Sequence, residues 1–226
     1  MLETRSRHVS GMLHEAGASA WARATRHPMV RAIADGSLPH ATFRGYFEQN
    51  VLYLEDYARA IALILSKAPD RDAITILARF LGQIVEREIP ANLSFLERLG
   101  GDPAALGGAQ SLRPAVYDYT RHLLAVSAQG DVAEGLTAVL PCQWSYGELA
   151  RPLMASTPED PIYADWIRMF GNDEYGALVD ETTALLDRLA DPDDEARLAS
   201  LFAIFDRSTQ YEVAFWDMAY GGPDPG

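Results

Sequence analysis

The chain has 226 residues, of which 48% are hydrophobic and 23% are charged, and its 19 basic and 32 acidic side chains give a formal net charge of −13. This charge opposes binding to nucleic acid and to anionic membranes, because Lys and Arg supply most of the affinity for phosphate groups. The single cysteine excludes an intrachain disulfide framework and a metal site built from several cysteines. It fits a reducing cytoplasm, where we expect the protein to be.

Apolar residues recur at intervals of three and four through almost the whole chain, which is typical of α-helices packed on a core. Proline and glycine mark the breaks between segments, for example at Pro28, Gly36 and residues 100–103. In chain order we predict helices over residues 13–24, 28–36, 39–65, 74–99, 116–128, 132–156, 161–170, 173–189 and 193–220.

Only brief alternation of apolar and polar residues occurs, so we predict no β-sheet. The fold class is therefore predicted to be all-α, with one compact domain over residues 1–226 and flexible ends at 1–7 and 221–226. No run approaches the roughly 18 apolar residues that a membrane span needs, and the N-terminus leads into no apolar signal core. We expect no contact with membranes.

The segment 140–146, LPCQWSY, interrupts a helical pattern with a proline that comes directly before the only cysteine. A proline inside a helix costs about 3 kcal/mol, so we predict a kink at Pro141 that presents a side chain. Cys142 and Tyr146 are one turn apart and share a helix face. A lone cysteine in an apolar helix is more often a small buried hydrophobe, and a nucleophilic thiol needs a nearby base or positive field.

Two further polar residues lie on aromatic helix faces. Glu212 is one turn from Phe215 and Trp216, and a carboxylate driven into an aromatic interior must be hydrogen-bonded, protonated or functional. The alternative is a boundary position facing water. Asn50 comes three residues before Tyr53, where it could bind a heteroaromatic ligand or the backbone of a neighbouring helix.

Several segments taken together resemble the TenA family, also called thiaminase II or aminopyrimidine aminohydrolase. Their order, their spacing and the Leu-Pro-Cys and Phe-Trp motifs carry the resemblance, which extends from Trp21 to Tyr220. The matching segments are FRGYFEQNVLYL at 43–54, YDYT at 117–120, LPCQWSY at 140–146, WIRMF at 166–170 and YEVAFWDMAY at 211–220.

The resemblance implies a heme-oxygenase-like helical bundle, usually a homotetramer, with a buried pocket for a 4-amino-2-methylpyrimidine. Family members hydrolyse 4-amino-5-aminomethyl-2-methylpyrimidine to the hydroxymethyl pyrimidine used in thiamin salvage, and many also cleave thiamin. We therefore expect a small pyrimidine as the ligand, no nucleic acid partner, no metal and no cofactor.

The resemblance also assigns roles by position. Cys142 matches the nucleophile that adds to the pyrimidine ring, and Glu212 matches the carboxylate that works with it in proton transfer. The remaining matches are pocket residues that contact or stack on the ligand: Asn50, Tyr53, Tyr119, Tyr146, Phe170 and Phe215. A covalent adduct would split one difficult displacement into two easier steps, and an aromatic box can raise the pKa of a carboxyl group toward a useful value.

Two positions depart from the family pattern. Asn50 stands where many members have an Asp that bonds the aminopyrimidine ring, and Phe170 stands where a Tyr hydroxyl is common. A lost charge-assisted hydrogen bond is worth about 1.5–3 kcal/mol, or about 10- to 100-fold. We predict that Asn50→Asp raises turnover. An altered pyrimidine substrate, or weak activity in a ligand-binding or regulatory protein, is the alternative that these positions leave open.

Two rival classes find less support in the sequence. A DNA-binding regulator is disfavoured by the net charge of −13 and by the absence of a basic helix. An oxidase with a diiron site would commonly use Glu-x-x-His motifs, and none is present. His14 is a candidate heme ligand, although an ordinary surface residue is the favoured interpretation.

Overall fold

The computed structural model describes residues 8–108 and 111–221. These residues contain no β-strand, so the all-α prediction is confirmed. The predicted flexible ends lie outside the described residues, except for Gly221 in a turn after the last helix. The α-helices are α1 (Val9–Ala16), α2 (Ala18–Thr25), α3 (Pro28–Ala34), α4 (His40–Leu65), α5 (Arg71–Gly82), α6 (Ile89–Arg98), α7 (Pro114–Gln129), α8 (Val132–Ala150), α9 (Pro161–Gly171), α10 (Asp173–Leu189) and α11 (Glu195–Tyr220).

One helix predicted from the sequence is interrupted near the N-terminus. The helical spacing over 13–24 continues through Gly17, but the structure breaks there into α1 and α2. A Cβ atom at Gly17 would lie 3.2 Å from the ring of Phe205 on α11. The glycine therefore allows a close approach between α11 and this junction, which is a tertiary effect that local spacing does not predict.

The predicted helix over 74–99 also differs from the structure, because a π-helical segment, Gln83–Glu88, joins α5 to α6. Pro90 follows this segment and has no N–H to donate to the helical ladder. The N–H of Ile89 instead bonds to the carbonyl of Ile84, five residues back. Single π-helical turns of this kind occur frequently at functional sites.

The helix predicted over 132–156 is α-helical only as far as Ala150 and then tightens into a 3₁₀ turn over Arg151–Ala155. Pro152 lacks the N–H that would continue the α-helix. Pro141 lies inside α8, which stays helical on both sides of it. Two tyrosine hydroxyls donate to carbonyls that flank this proline: Tyr57 of α4 to Val139 at 2.8 Å and Tyr175 of α10 to Gln143 at 3.0 Å. The kink itself stays a prediction.

The helices enclose one continuous hydrophobic core. The central helix α8 contacts α4, α7, α10 and α11, and its own residues from Val139 to Pro141 are buried. Aromatic rings fill the space between α4, α8 and α11, where Tyr46 stacks on Trp216 with ring centroids 5.5 Å apart. No helix in the described ranges is long and apolar enough to cross a membrane.

Candidate active site

A small cavity lies in the bundle beside Cys142, whose side chain is partly exposed. The volume of this cavity is about 10 Å³, which is room for about one water molecule. A pyrimidine is several times larger, so its entry requires side chains around the cavity to move. A larger groove lies on the surface beside Arg79 and Glu181 and contains no residue that the sequence predicted for the site. Another surface groove, beside Gly147 and Asn172, contains one such residue, Phe170. The cavity is lined by Tyr57, Phe80, Gln83, Ile84, Glu88, Cys142, Gln143, Tyr146, Tyr175 and Leu178.

Cys142 projects from α8 into this cavity, one turn before Tyr146. Burial raises the pKa of the thiol well above its usual value, and the nearby carboxyl groups of Glu212 and Glu88 raise it further. The hydroxyls of Tyr53 and Tyr57 lower it in part. The thiol is therefore protonated at neutral pH, and it can act as a nucleophile only when a nearby group accepts its proton.

Glu212 supplies such a group from α11. Its side chain is 3% exposed, and the hydroxyl of Tyr119 donates a 2.7 Å hydrogen bond to its Oε1 atom. Burial raises the pKa of Glu212 to about 7, while hydrogen bonds from Tyr119 and Cys142 lower it. Glu212 does not face water. A carboxyl group with a pKa near neutrality can both accept and return a proton at physiological pH.

Aromatic side chains surround this pair. The ring centroid of Tyr53 lies 5.1 Å from that of Tyr119 and 5.6 Å from that of Phe215. The hydroxyl of Tyr53 is buried near enough to the Cys142 thiol to lower the pKa of that thiol, but it makes no hydrogen bond of normal geometry among the described residues. Tyr146 shares a 3.0 Å hydrogen bond with Tyr46. The structure thus brings Cys142 and Glu212 together inside a wall of tyrosine and phenylalanine rings.

Of the six predicted pocket residues only Tyr146 lines the cavity, and the carboxyl group of Glu212 also lies outside the lining. The predicted pocket residues outside it are Asn50, Tyr53, Tyr119, Phe170 and Phe215. Phe170 packs edge-on against Tyr146, with centroids 4.8 Å apart, and supports that ring from behind. Asn50 is 5% exposed, and its Nδ2 atom donates to Oδ1 of Asn92 at 2.9 Å. Asn92 in turn donates to the backbone carbonyl of Glu88 at 2.8 Å. Asn50 therefore supports the π-helical wall of the cavity, and a direct contact with a ligand stays a prediction.

Sequence reasoning missed Glu88. This residue is 6% exposed and lines the cavity, and burial together with the charge of Glu212 raises its pKa to about 8. A signal was present, because Phe80, Ile84 and Glu88 follow four-residue spacing on the buried face of one helical segment.

Gln143 also lines the cavity. The sequence predicted no separate role for it beyond its place in the segment 140–146. Its Oε1 atom accepts a 2.8 Å hydrogen bond from Thr182. Its Nε2 atom is buried without a partner in the part of the chain that the structure describes. It therefore leaves one donor open beside the cavity.

His14 lies away from the cavity. Its ring stacks on Trp144 with centroids 5.0 Å apart, and its Nε2 atom is 3.4 Å from a carboxylate oxygen of Glu148. The Nε2 atom, one of the two ring atoms through which an imidazole can bind a metal, therefore lies beside a carboxylate. Within residues 8–108 and 111–221, no three His, Cys, Asp or Glu side chains cluster as metal ligands.

Comparison with known proteins supports a shared fold and family over nearly the whole chain. The sequence profile of the TENA/THI-4/PQQC family matches residues 14–222. An aminopyrimidine aminohydrolase from Halalkalibacterium halodurans is 32% identical over 212 residues, which cover 92% of this chain and 93% of that protein.

Solved structures agree with this match. A protein from Silicibacter sp. TM1040, described as a TenA family transcription regulator, superposes with a TM-score of 0.87 at 27% identity, over 97% of this chain and 99% of that one. A domain of unknown function with a heme oxygenase-like fold, from Shewanella denitrificans, superposes with a TM-score of 0.70 at 16% identity, over 93% and 91% of the two chains. The fold of the bundle is therefore heme oxygenase-like.

Proposed function

The chain belongs to the TENA/THI-4/PQQC family, and on this basis we propose that it is an aminopyrimidine aminohydrolase of thiamin salvage. Its substrate would be 4-amino-5-aminomethyl-2-methylpyrimidine, which it would convert to the hydroxymethyl pyrimidine and ammonia. The observation that carries the proposal is the hydrogen-bonded pairing of Cys142, which lines the cavity, with the buried carboxyl group of Glu212. A thiol, a proton acceptor and flat apolar walls are the groups that this reaction requires.

The reaction would proceed through a covalent adduct. Glu212 accepts the proton of Cys142, and the thiolate sulfur forms a bond to a ring carbon of the pyrimidine. The bond between the methylene carbon and its amino nitrogen then breaks, and its electron pair leaves with that nitrogen. Water adds to the methylene carbon and releases a proton to solvent. The C–S bond then breaks with its electron pair returning to sulfur, the ring is restored, and Cys142 recovers its proton from Glu212. The balance is one water consumed and one ammonia released.

The aromatic side chains would hold the ring during these steps. The ring of Tyr53 adjoins those of Tyr119 and Phe215, with centroids 5.1 Å and 5.6 Å away, and such ring surfaces suit a flat ligand. The hydroxyl of Tyr53, which makes no hydrogen bond of normal geometry among the described residues, is available to a polar group of the ligand. Tyr146 would close the wall near Cys142, with Phe170 behind it. Asn50 would act on the ring or, through Asn92, on the π-helical wall.

We propose that the enzyme works as a homotetramer in the cytoplasm. The tetramer follows from the family resemblance, and the single cysteine fits a reducing compartment. Light scattering during size-exclusion chromatography tests the assembly. A mass near the 24.8 kDa of one chain would contradict the tetramer.

A direct role in DNA binding finds no support in the charge of this chain, although one structural relative is described as a transcription regulator. Nineteen basic side chains stand against 32 acidic ones. Non-specific DNA affinity comes from phosphate neutralisation by Lys and Arg. A gel shift that weakens with added salt would overturn this conclusion.

The experiment that tests the proposed function measures ammonia and hydroxymethyl pyrimidine released from the aminomethyl pyrimidine, with thiamin as a second substrate. We expect equal amounts of both products from wild type. Glu212→Gln removes the proton acceptor and should reduce turnover by about 10²- to 10⁴-fold. Glu195→Gln, an exposed change on the same helix, is the matched control and should keep full activity. Wild-type protein that releases neither product from either substrate would refute the proposal.

A further inference from the structure

Glu88 is a buried carboxyl group that the proposed reaction leaves unused. It ends the π-helical segment Gln83–Glu88 and lies on the wall of the cavity that Cys142 enters. Only 6% of this residue is exposed, and burial and the charge of Glu212 account for its raised pKa, with no hydrogen bond to its carboxyl group from any residue that the structure describes. A buried carboxylate without a partner is costly, and such a group is retained where a ligand can compensate it.

The other groups around the cavity do not compensate Glu88. Tyr57 and Tyr175 donate their hydroxyl protons to backbone carbonyls of α8, and Tyr146 is bonded to Tyr46. No Lys, Arg or His lines this cavity within the described residues. The charged groups near it are Glu88 itself and Glu212, which repel each other when both are ionised. The cavity is therefore suited to a ligand that brings positive charge.

We propose that Glu88 binds the cationic substituent on the methylene carbon of the substrate, and so selects pyrimidines that carry a positively charged leaving group. The inference rests on the proposed function and names the substrate class for that same site. A primary amine such as the aminomethyl group is protonated at neutral pH, as the Lys side chain is. The thiazolium of thiamin carries a fixed positive charge. The hydroxymethyl product has nearly the same size and no charge.

This contact would also serve the reaction. An ammonium held by Glu88 already carries the protons with which ammonia leaves, so no further acid is needed when the C–N bond breaks. The product loses the charge, and its attraction to Glu88 disappears. A protonated Glu88 would release its proton on binding the cation, since an opposite charge nearby favours the ionised carboxylate.

The test compares the binding of the two pyrimidines by calorimetry at pH 7.5, in a Cys142→Ser background in which turnover is expected to be at least about 10²-fold slower. Adding Glu88→Gln should weaken the binding of the aminomethyl pyrimidine by about 10- to 100-fold and change the affinity for the hydroxymethyl pyrimidine by less than about threefold. Glu88→Asp keeps the charge on a shorter side chain and should give an intermediate loss. Glu86→Gln removes an exposed carboxylate from the same π-helical segment and should change neither ligand.

Equal losses for both pyrimidines in Glu88→Gln, or no loss for either, would overturn the inference. Thermal unfolding of each variant confirms that a loss of binding is not a loss of fold. The hydrolysis assay on wild type separates the two claims. If wild type hydrolyses the substrate but Glu88→Gln affects the binding of both pyrimidines equally, only the role of Glu88 is refuted. If wild type neither binds nor hydrolyses the aminomethyl pyrimidine, the proposed function and this inference are refuted together.

Discussion

Replacing Asn50 by Asp tests how the wall of the cavity is built. The family resemblance predicts higher turnover for Asn50→Asp, but the structure adds a cost. The Nδ2 atom of Asn50 donates to Oδ1 of Asn92, and Nδ2 of Asn92 donates to the carbonyl of Glu88. An ionised Asp has no proton to donate, so two acceptor oxygens would face each other. Turning the amide of Asn92 would satisfy the new carboxylate only by abandoning the carbonyl of Glu88.

Either arrangement leaves one buried polar group without its partner, which costs about 1–3 kcal/mol. A protonated Asp restores the donor, so the cost depends on pH. Burial raises the pKa of the new carboxyl group above its value in the unfolded chain, so the folded state binds more protons. The stability of Asn50→Asp should therefore fall as the pH rises, and should approach that of wild type near pH 4.

The assay is urea unfolding of wild type, Asn50→Asp and Asn50→Leu at pH 4.5 and pH 8. Asn50→Leu has similar volume and loses the same hydrogen bond, but it cannot titrate, so its deficit should be similar at both pH values. We expect Asn50→Asp to be about 1–3 kcal/mol less stable than wild type at pH 8. An Asn50→Asp variant as stable as wild type at pH 8, with raised turnover, would show that residue 50 contacts the ligand and not Asn92.

Three further predictions follow from the same packing and electrostatics. Burial raises the pKa of Glu88 from 4.5 to about 8, so the folded state keeps a proton that the unfolded chain releases, and stability falls as the pH rises through this range. In urea unfolding, the stability of Glu88→Gln relative to wild type should therefore rise by about 3–4 kcal/mol between pH 5 and pH 8.5. A stability difference between the two proteins that is the same at both pH values would contradict this. Tyr119→Phe removes a hydrogen bond that lowers the pKa of Glu212. The acid limb of the pH–rate profile should therefore move up by about one pH unit. An unchanged acid limb would count against ionised Glu212 as the proton acceptor. Gly135→Ala would place a Cβ atom 2.5 Å from Cγ1 of the fully buried Ile64, and should cost about 1–3 kcal/mol of stability; an unaffected denaturation midpoint would refute the tight α4–α8 packing.

Much of the fold could be predicted from the sequence, because apolar periodicity and proline and glycine positions mark most helices. The break at Gly17 could not be predicted this way, since it depends on the approach of Phe205 from a distant helix. The π-helical segment was also missed. Its hydrogen bonds span five residues instead of four, which apolar spacing alone does not reveal, and Pro90 was its only local signal.

The candidate site was predicted in part. Cys142 and Glu212 stood out because each is unusual for its place in the helix, and the structure puts them together. Glu88 was overlooked because a single Glu in a charged segment, VERE, is usually a solvated residue. Only the structure shows that it faces the cavity, which it lines together with Cys142 and Gln143 of α8. Asn50 was predicted to contact the ligand, but its partner Asn92 lies 42 residues away and could not be identified from spacing.

The most direct test of the central claim is the rate of hydrolysis of the aminomethyl pyrimidine by Cys142→Ser. The account predicts that this single-atom change lowers turnover by at least about 10²-fold while the variant stays folded and binds the substrate. Ser145→Ala, a change of similar size one turn along α8 that removes a hydroxyl bonded to the carbonyl of Cys142, should keep nearly full turnover. Full activity in Cys142→Ser would contradict the assignment of Cys142 as the nucleophile.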